Sequence, residues 1–337
     1  MRPFVHPAHP GKGKPLSGGK AISGVCAAPT DGPRASVIIA CAFLSVLFSC
    51  LSLPIHAQDL EPRTYTNIPV GQNFAGIGYV YADGEINPSP SVPLKDVEIT
   101  MKTTLAAYVR SLDLWGTAGK VDVSWGRACL EGSGNFNGRT ITGDRCGTLD
   151  PSVRLSYLFY GAPAMDMQQF RSNPSRRVIG ASLRVDMPLG DYNNENLINT
   201  GSNRWTFKPE IGISNSWGSR VSFEAALAAR LFTDNDNFLG GTKLEQKPLY
   251  QLQAHFIYDL KKGRWLSVDG NYFWGGRTSK DGVKGDDLQK NSRIGLTLGW
   301  PLTPQHSLKF FASRGVITNI GNDSDTYGIV WQYRWGD

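Results

Sequence analysis

The chain has 337 residues and a formal net charge of +6; 38 glycines and 36 aromatic residues (9 Trp, 12 Tyr, 15 Phe) stand against a charged fraction of only 19%. Disorder requires few aromatics and high charge, and a long coiled coil requires Ala, Glu, Lys and Leu to dominate, so both are excluded. A polytopic helical membrane protein is excluded as well, because a single apolar run approaches the roughly 20 residues that a spanning helix needs.

That run, residues 35–53, follows a Pro- and Gly-rich stretch carrying Arg2, Lys12, Lys14, Lys20 and Arg34 against one acid, Asp31. Pro54 ends it, and Ile55-His56-Ala57 precedes a polar segment. A basic region, an apolar region and a small residue before the cut predict a secretory signal peptide over 1–57, with a long basic n-region, followed by the mature chain 58–337. A transmembrane anchor over the same run, or a lipoprotein cut before Cys50, fits less well: the run is short, and Phe48 is bulky for lipoprotein processing. The leader carries +4 of the total +6, so +2 remains on the mature chain and no basic stripe points to nucleic acid. Three of five cysteines fall in the leader. Cys129 and Cys146 bracket one Gly/Asn-rich loop, and in an oxidising compartment they are expected to form a disulfide rather than a zinc site, for which the mature chain adds only His255 and His306.

From there the sequence alternates. In 97–111, Val97, Ile99, Met101, Thr103, Leu105, Ala107 and Val109 share one face, and Glu98, Thr100, Lys102, Thr104, Tyr108 and Arg110 share the other. Period two sustained this far exceeds an ordinary globular strand. Comparable segments recur, giving twelve expected strands at about 73–81, 97–111, 119–127, 152–160, 177–188, 205–216, 220–232, 249–260, 264–274, 291–300, 306–314 and 325–335. Connections alternate between short turns and long Gly/Asn/Asp-rich loops. One exception, 161–176, falls on the short side with about sixteen residues and is expected to hold a small helix near 164–170. An even strand number with this alternation predicts an all-β, up-and-down antiparallel transmembrane β-barrel in a Gram-negative outer membrane. Aromatics at the ends of outward rows (Tyr79, Tyr81, Trp125, Trp205, Trp217, Tyr250, Tyr258, Trp274, Trp300) fit interfacial girdles. Because a charge facing lipid costs roughly 2–4 kcal/mol at the midplane, the apolar rows are expected outward and the polar rows in the lumen.

The last strand, Thr326-Tyr-Gly328-Ile-Val-Trp331-Gln-Tyr333-Arg-Trp335, resembles the assembly signal of bacterial outer-membrane proteins, with Gly336 and Asp337 added after the final aromatic. Further stretches resemble the MetA-pathway of phenol degradation family: 59–71 (Asp59-Leu-Glu-Pro-Arg-Thr-Tyr-Thr-Asn-Ile-Pro-Val-Gly71), 110–116, 150–157 leading into Gly161-Ala-Pro163, 180–192 and 203–212. The resemblance implies an outer-membrane transporter for aromatic or other hydrophobic compounds. It supplies no catalytic residues.

The expected lumen-facing charges are Glu98, Lys102, Arg110, Arg154, Arg184, Asp186, Lys208, Glu210, Glu224, Arg230, Asp269, Arg293 and Arg334. Such residues either tune pore selectivity or cross-link the interior through ion pairs, and the near balance of signs favours the second. Passive uptake of small solutes is the leading expectation; a surface-interaction barrel without an open pore and a lipid hydrolase are the alternatives. For hydrolysis, neither His255 nor His306 lies in a nucleophile motif, so no enzyme activity is expected. Loop acids Asp234, Asp236, Asp323 and Asp325 lack calcium-loop spacing. No cofactor or metal is expected. The expected partners are outer-membrane lipid and lipopolysaccharide, the assembly machinery through the terminal strand, and small solutes.

Overall fold

The computed structural model describes residues 61–87, 94–136, 138–173, 175–196 and 198–336; the expected signal peptide, 1–57, lies outside the described residues. In chain order the strands are β1 (Asn73–Asn87), β2 (Leu94–Leu114), β3 (Thr117–Phe136), β4 (Arg139–Thr148), β5 (Ser152–Tyr160), β6 (Arg177–Asp186), β7 (Thr206–Trp217), β8 (Val221–Phe232) and β9 (Asn235–Phe238). They continue with β10 (Thr242–Gln246), β11 (Leu249–Asp259), β12 (Trp265–Gly275), β13 (Thr278–Lys280), β14 (Val283–Lys284), β15 (Gln289–Pro301), β16 (His306–Ile317) and β17 (Gly321–Trp335). Twelve of these close a barrel in which each strand pairs antiparallel with its neighbours, in the order β1-β2-β3-β5-β6-β7-β8-β11-β12-β15-β16-β17. The ring is sealed by β17 on β1, from Asn73↔Trp335 to Asn87↔Gly321. All twelve expected strands are barrel strands.

The connections follow local chemistry. Trp115 and Gly116 both take positive φ, 58° and 85°, the two-residue turn whose twist suits a hairpin, and the Gly116 N–H donates to Asp113 Oδ1 at 2.7 Å. The expected short helix is α1 (Met167–Ser172), closed by a capping box between Asp166 and Gln169. The long loops are built up rather than slack. Strand β4 extends β3 into a hairpin that carries the Cys129–Cys146 disulfide directly across the pair. The loops after β8 and β12 form a second, four-stranded sheet, β14-β13-β10-β9.

On most strands the apolar row faces outward. Leu252, Phe256, Leu296 and Trp331 are exposed, while Gln251, Gln253, His255 and Thr297 are buried inside. Of the expected girdle, Tyr79, Trp125, Trp205, Trp217, Tyr250, Tyr258 and Trp300 are all exposed. Exposed grease outside and buried polarity within is the arrangement hydrocarbon selects.

Strand β2 departs from this and corrects part of the expectation. Val97, Ile99 and Met101 are buried, Met101 to 6%, while Lys102 keeps 43% of its side chain exposed. Register agrees: exposed Tyr79 stands opposite Thr104, and Tyr81 opposite Lys102. Glu98, Lys102 and Arg110 therefore face outward, not into the lumen. Length makes this tolerable for Glu98 and Lys102. A tilted crossing takes about 9–11 residues, whereas β2 has 21 and β3 has 20. With the tight Trp115–Gly116 turn at one end, the surplus projects from the other, where water surrounds the barrel and the polar row belongs outside. There Lys102 Nζ pairs with Glu131 at 2.9 Å. Arg110 stands opposite Asn73, the first residue of β1, at the turn-side rim.

Candidate functional site

The lumen takes its character from two walls and from a segment that belongs to neither. Inward rows of β1, β2 and β3 place Val80, Ala82, Ile99, Met101 and Leu130 along one apolar wall. Strands β5 to β12 supply the polar wall, where Arg154, Arg184 and Lys208 stand in register on consecutive strands. Each has a carboxylate beside it. Arg154 Nε meets Asp122 at 2.5 Å, Arg184 Nε meets Asp186 at 2.7 Å and Lys208 Nζ meets Glu210 at 3.4 Å.

Residues 61–72, which precede β1, run through this interior. Glu61 accepts a 2.5 Å ion pair from Arg154. The Arg63 N–H donates to Glu224 Oε2 at 2.8 Å and its guanidinium pairs with Asp259. Thr66 Oγ1 donates to the other oxygen of Glu224 at 2.8 Å, and Lys120 Nζ donates to the Thr64 carbonyl. Burial opposes ionisation of Glu61, yet Arg154, with Arg184 and Lys309 behind it, draws its carboxyl down to about 2.

At the centre of the segment, Tyr65 is 1% exposed and packs in a cluster with Ala118, Leu158, Ala162, Val178 and Ala226. Its ring lies against Gly180 and Gly212, which face each other across β6 and β7. A Cβ at Gly212 would lie 2.2 to 2.7 Å from three ring atoms, so only glycine leaves room for the ring at that position. The phenol hydroxyl donates to Glu210 Oε1 at 2.9 Å and lies 3.4 Å from Ser182 Oγ. Gln253 Nε2, at 3.1 Å, donates to the second oxygen of that carboxylate. Burial, then the Glu210 charge, push the Tyr65 phenol above its ordinary range. The cavity remaining among Glu61, Tyr65, Arg154, Glu210, Glu224 and His255 measures about 20 Å³, room for one water.

Of the charges expected in the lumen, Arg154, Arg184, Asp186, Lys208, Glu210, Glu224, Arg230, Asp269, Arg293 and Arg334 occupy inward rows. Arg293 donates to the Ser324 carbonyl at 2.6 Å and Arg334 to the Pro304 carbonyl at 2.9 Å. His255 Nδ1 lies 2.7 Å from Asp269 Oδ1, and Thr297 Oγ1 donates to Asp269 Oδ2 at 2.7 Å. The carboxylate stands between the imidazole and the hydroxyl, so His255 is not placed to take the Thr297 proton and this trio is not a nucleophile–base pair. His306 stacks on Trp331 with ring centroids 5.7 Å apart. Among the described residues no group of His, Cys, Asp and Glu is arranged to hold a metal ion. Of the acids expected in loops, Asp323 and Asp325 lie on β17 instead; Asp234 pairs with Lys243 at 2.7 Å and Asp325 with Arg314 at 3.5 Å.

Sequence reasoning did not find the lumenal segment. Its residues have no strand periodicity, and the inward small residues Gly180, Gly212 and Ala226 read only as weak points in strands until the ring that fills them is seen.

A closed twelve-stranded barrel with aromatic-rimmed apolar walls and a polar interior defines an outer-membrane β-barrel protein. The chain belongs to the MetA-pathway of phenol degradation family, whose model matches residues 83–333. Among solved structures, the fold is similar to the COG4313 outer membrane channel from Pseudomonas putida F1: 18% identity, 82% of this chain and 100% of that chain covered, TM-score 0.69. It is also similar, at TM-score 0.47 and 12% identity, to the beta domain of the Bordetella autotransporter BrkA, covering 80% of this chain and 100% of that one. The transport unit of AIDA-I from Escherichia coli matches at the same score and identity, over 87% and 96%. No curated protein sequence matches the chain.

Proposed function

We propose that the barrel passes small aromatic or hydrophobic solutes passively across the outer membrane. The observation that carries this reading is the two-sided lumen. Inward rows carry an apolar patch of Val80, Ile99, Met101 and Leu130 on β1 to β3 beside the polar rows of β5 to β12, and segment 61–72, which engages the polar rows, is part of neither. A plain water-filled porin has no use for buried methionine and isoleucine on an inward row. A solute with an aromatic body and a polar tip would find surfaces for both. No covalent step is assigned. The terminal strand β17 is, on the same reading, what the assembly machinery recognises, and exposed Lys102 and Arg127 face lipopolysaccharide.

Liposome swelling or efflux, compared across aromatic and sugar solutes, tests the proposal. Faster exchange of aromatics than in protein-free vesicles supports it. The second reading, a barrel without an open pore that presents its loops, is favoured by the ion pairs and hydrogen bonds that hold segment 61–72 inside the barrel. It predicts no exchange of any solute even after the lumenal segment is released.

A further inference from the structure

We infer that the niche occupied by Tyr65 is a binding site for small phenols, and that Tyr65 is its resident occupant. The inference rests on the passage reading and names its substrate class. The niche is walled by barrel strands, with Gly180, Gly212, Leu158, Val178 and Ala226 around the ring, and by Ala162 just past β5. The ring itself comes from segment 61–72, which is anchored by hydrogen bonds and ion pairs rather than by strand pairing.

The niche is matched to a hydroxyl on an aromatic ring. Glu210 is fixed by Gln253 at 3.1 Å and Lys208 at 3.4 Å, so its remaining oxygen is aimed at the phenol, which donates at 2.9 Å. A carboxylate accepts only, so it rewards a donor and rejects an ether or a second anion. A free phenol has a pKa near 10, as tyrosine does, and so remains a donor at neutral pH. The glycine pair admits a flat ring and excludes anything thicker, because even one methyl carbon on Gly212 would collide with it. Tyr65 without its backbone is p-cresol. A free p-cresol molecule could therefore replace the side chain with the same contacts, and in doing so release the segment that blocks the lumen.

The test uses the full chain in nanodiscs, with p-cresol as probe and 4-methylanisole, which lacks the donor, as control. In the Tyr65→Ala protein, equilibrium dialysis should show saturable p-cresol binding, with 4-methylanisole weaker by at least about tenfold for loss of a hydrogen bond to a charged acceptor. Adding Gly212→Val to that protein should abolish the site. In unaltered protein, p-cresol should speed tryptic cutting after Arg63, and 4-methylanisole should not. Equal binding of the two probes, or binding that survives Gly212→Val, overturns the inference. If Tyr65→Ala does not fold, as judged by heat-modifiable gel migration, the unaltered protein decides through the cutting assay alone, where no p-cresol effect is the negative result. Failure of the passage reading looks different: p-cresol binds, yet Tyr65→Ala vesicles exchange no solute.

Discussion

Replacing Gly212 with alanine separates the segment in the lumen from the barrel that holds it. The added Cβ would fall 2.2 Å from Tyr65 Cε2, and the backbone that carries it is paired on both sides, to Gly180 and to Ala226. The ring, not the strand, must move. A tyrosine side chain buries about 150–250 Å², which at about 25 cal/mol per Å² is roughly 4–6 kcal/mol as an upper bound. Allowing for residual contacts of a displaced ring, a loss of about 3 kcal/mol in docking is expected, which raises the released population roughly 100-fold. Trypsin reads this directly, because cutting of the Arg63–Thr64 bond tracks the population of the released form when docking is fast. Gly212→Ala should be cut about 100-fold faster there, while the heat-modifiable gel transition of the barrel stays in place. A cutting rate within about threefold of the unaltered protein would mean that the ring is not held as described.

Acid should also release the segment. The Glu61 carboxyl is held down to about 2 against an ordinary 4.5, so its pairing with Arg154 contributes fully above about pH 4.5 and is lost as pH falls through 2. Because 40% of the Glu61 side chain is exposed, solvent screens the pair and the contribution stays near 1 kcal/mol. A nitroxide at position 68 should gain mobility across that window, and Glu61→Gln should flatten the profile. Arg154→Ala strands Asp122 and Glu61 together and should cost about 3 kcal/mol in urea unfolding, whereas Lys102→Ala, in an exposed pair, should leave the urea midpoint unchanged. Removing both Cys129 and Cys146 should loosen the β3–β4 hairpin to proteases and leave the barrel transition unchanged, since the bridge joins residues already paired outside the ring.

The twelve barrel strands were legible because each carries period-two alternation over nine or more residues, and the turns between them carry Gly, Asn and Asp. Which face pointed inward was legible only where hydrocarbon is the outer solvent. On β2 one unbroken register keeps the row of Glu98, Lys102, Thr104, Ala106, Tyr108 and Arg110 outward along the whole strand, and the Glu98 and Lys102 charges fall where the strand has run past the bilayer. Val97 and Glu98 cannot reveal this from sequence, because neither residue encodes how high above the membrane it stands. The α1 helix was visible as an interruption of the short-turn pattern. Segment 61–72 was not, since its position depends on long-range contacts such as Tyr65 with Glu210 and Arg63 with Asp259, and nothing in the local spacing of those residues announces them.

The central proposal is that small aromatic solutes cross the outer membrane through this barrel once segment 61–72 leaves its lumen. The most direct measurement is solute exchange by vesicles carrying the Tyr65→Ala protein, with p-cresol and a sugar of similar size compared against protein-free vesicles. The account predicts exchange above the protein-free rate, faster for p-cresol than for the sugar after correction for leakage through lipid. Rates equal to those of protein-free vesicles for both solutes would contradict it.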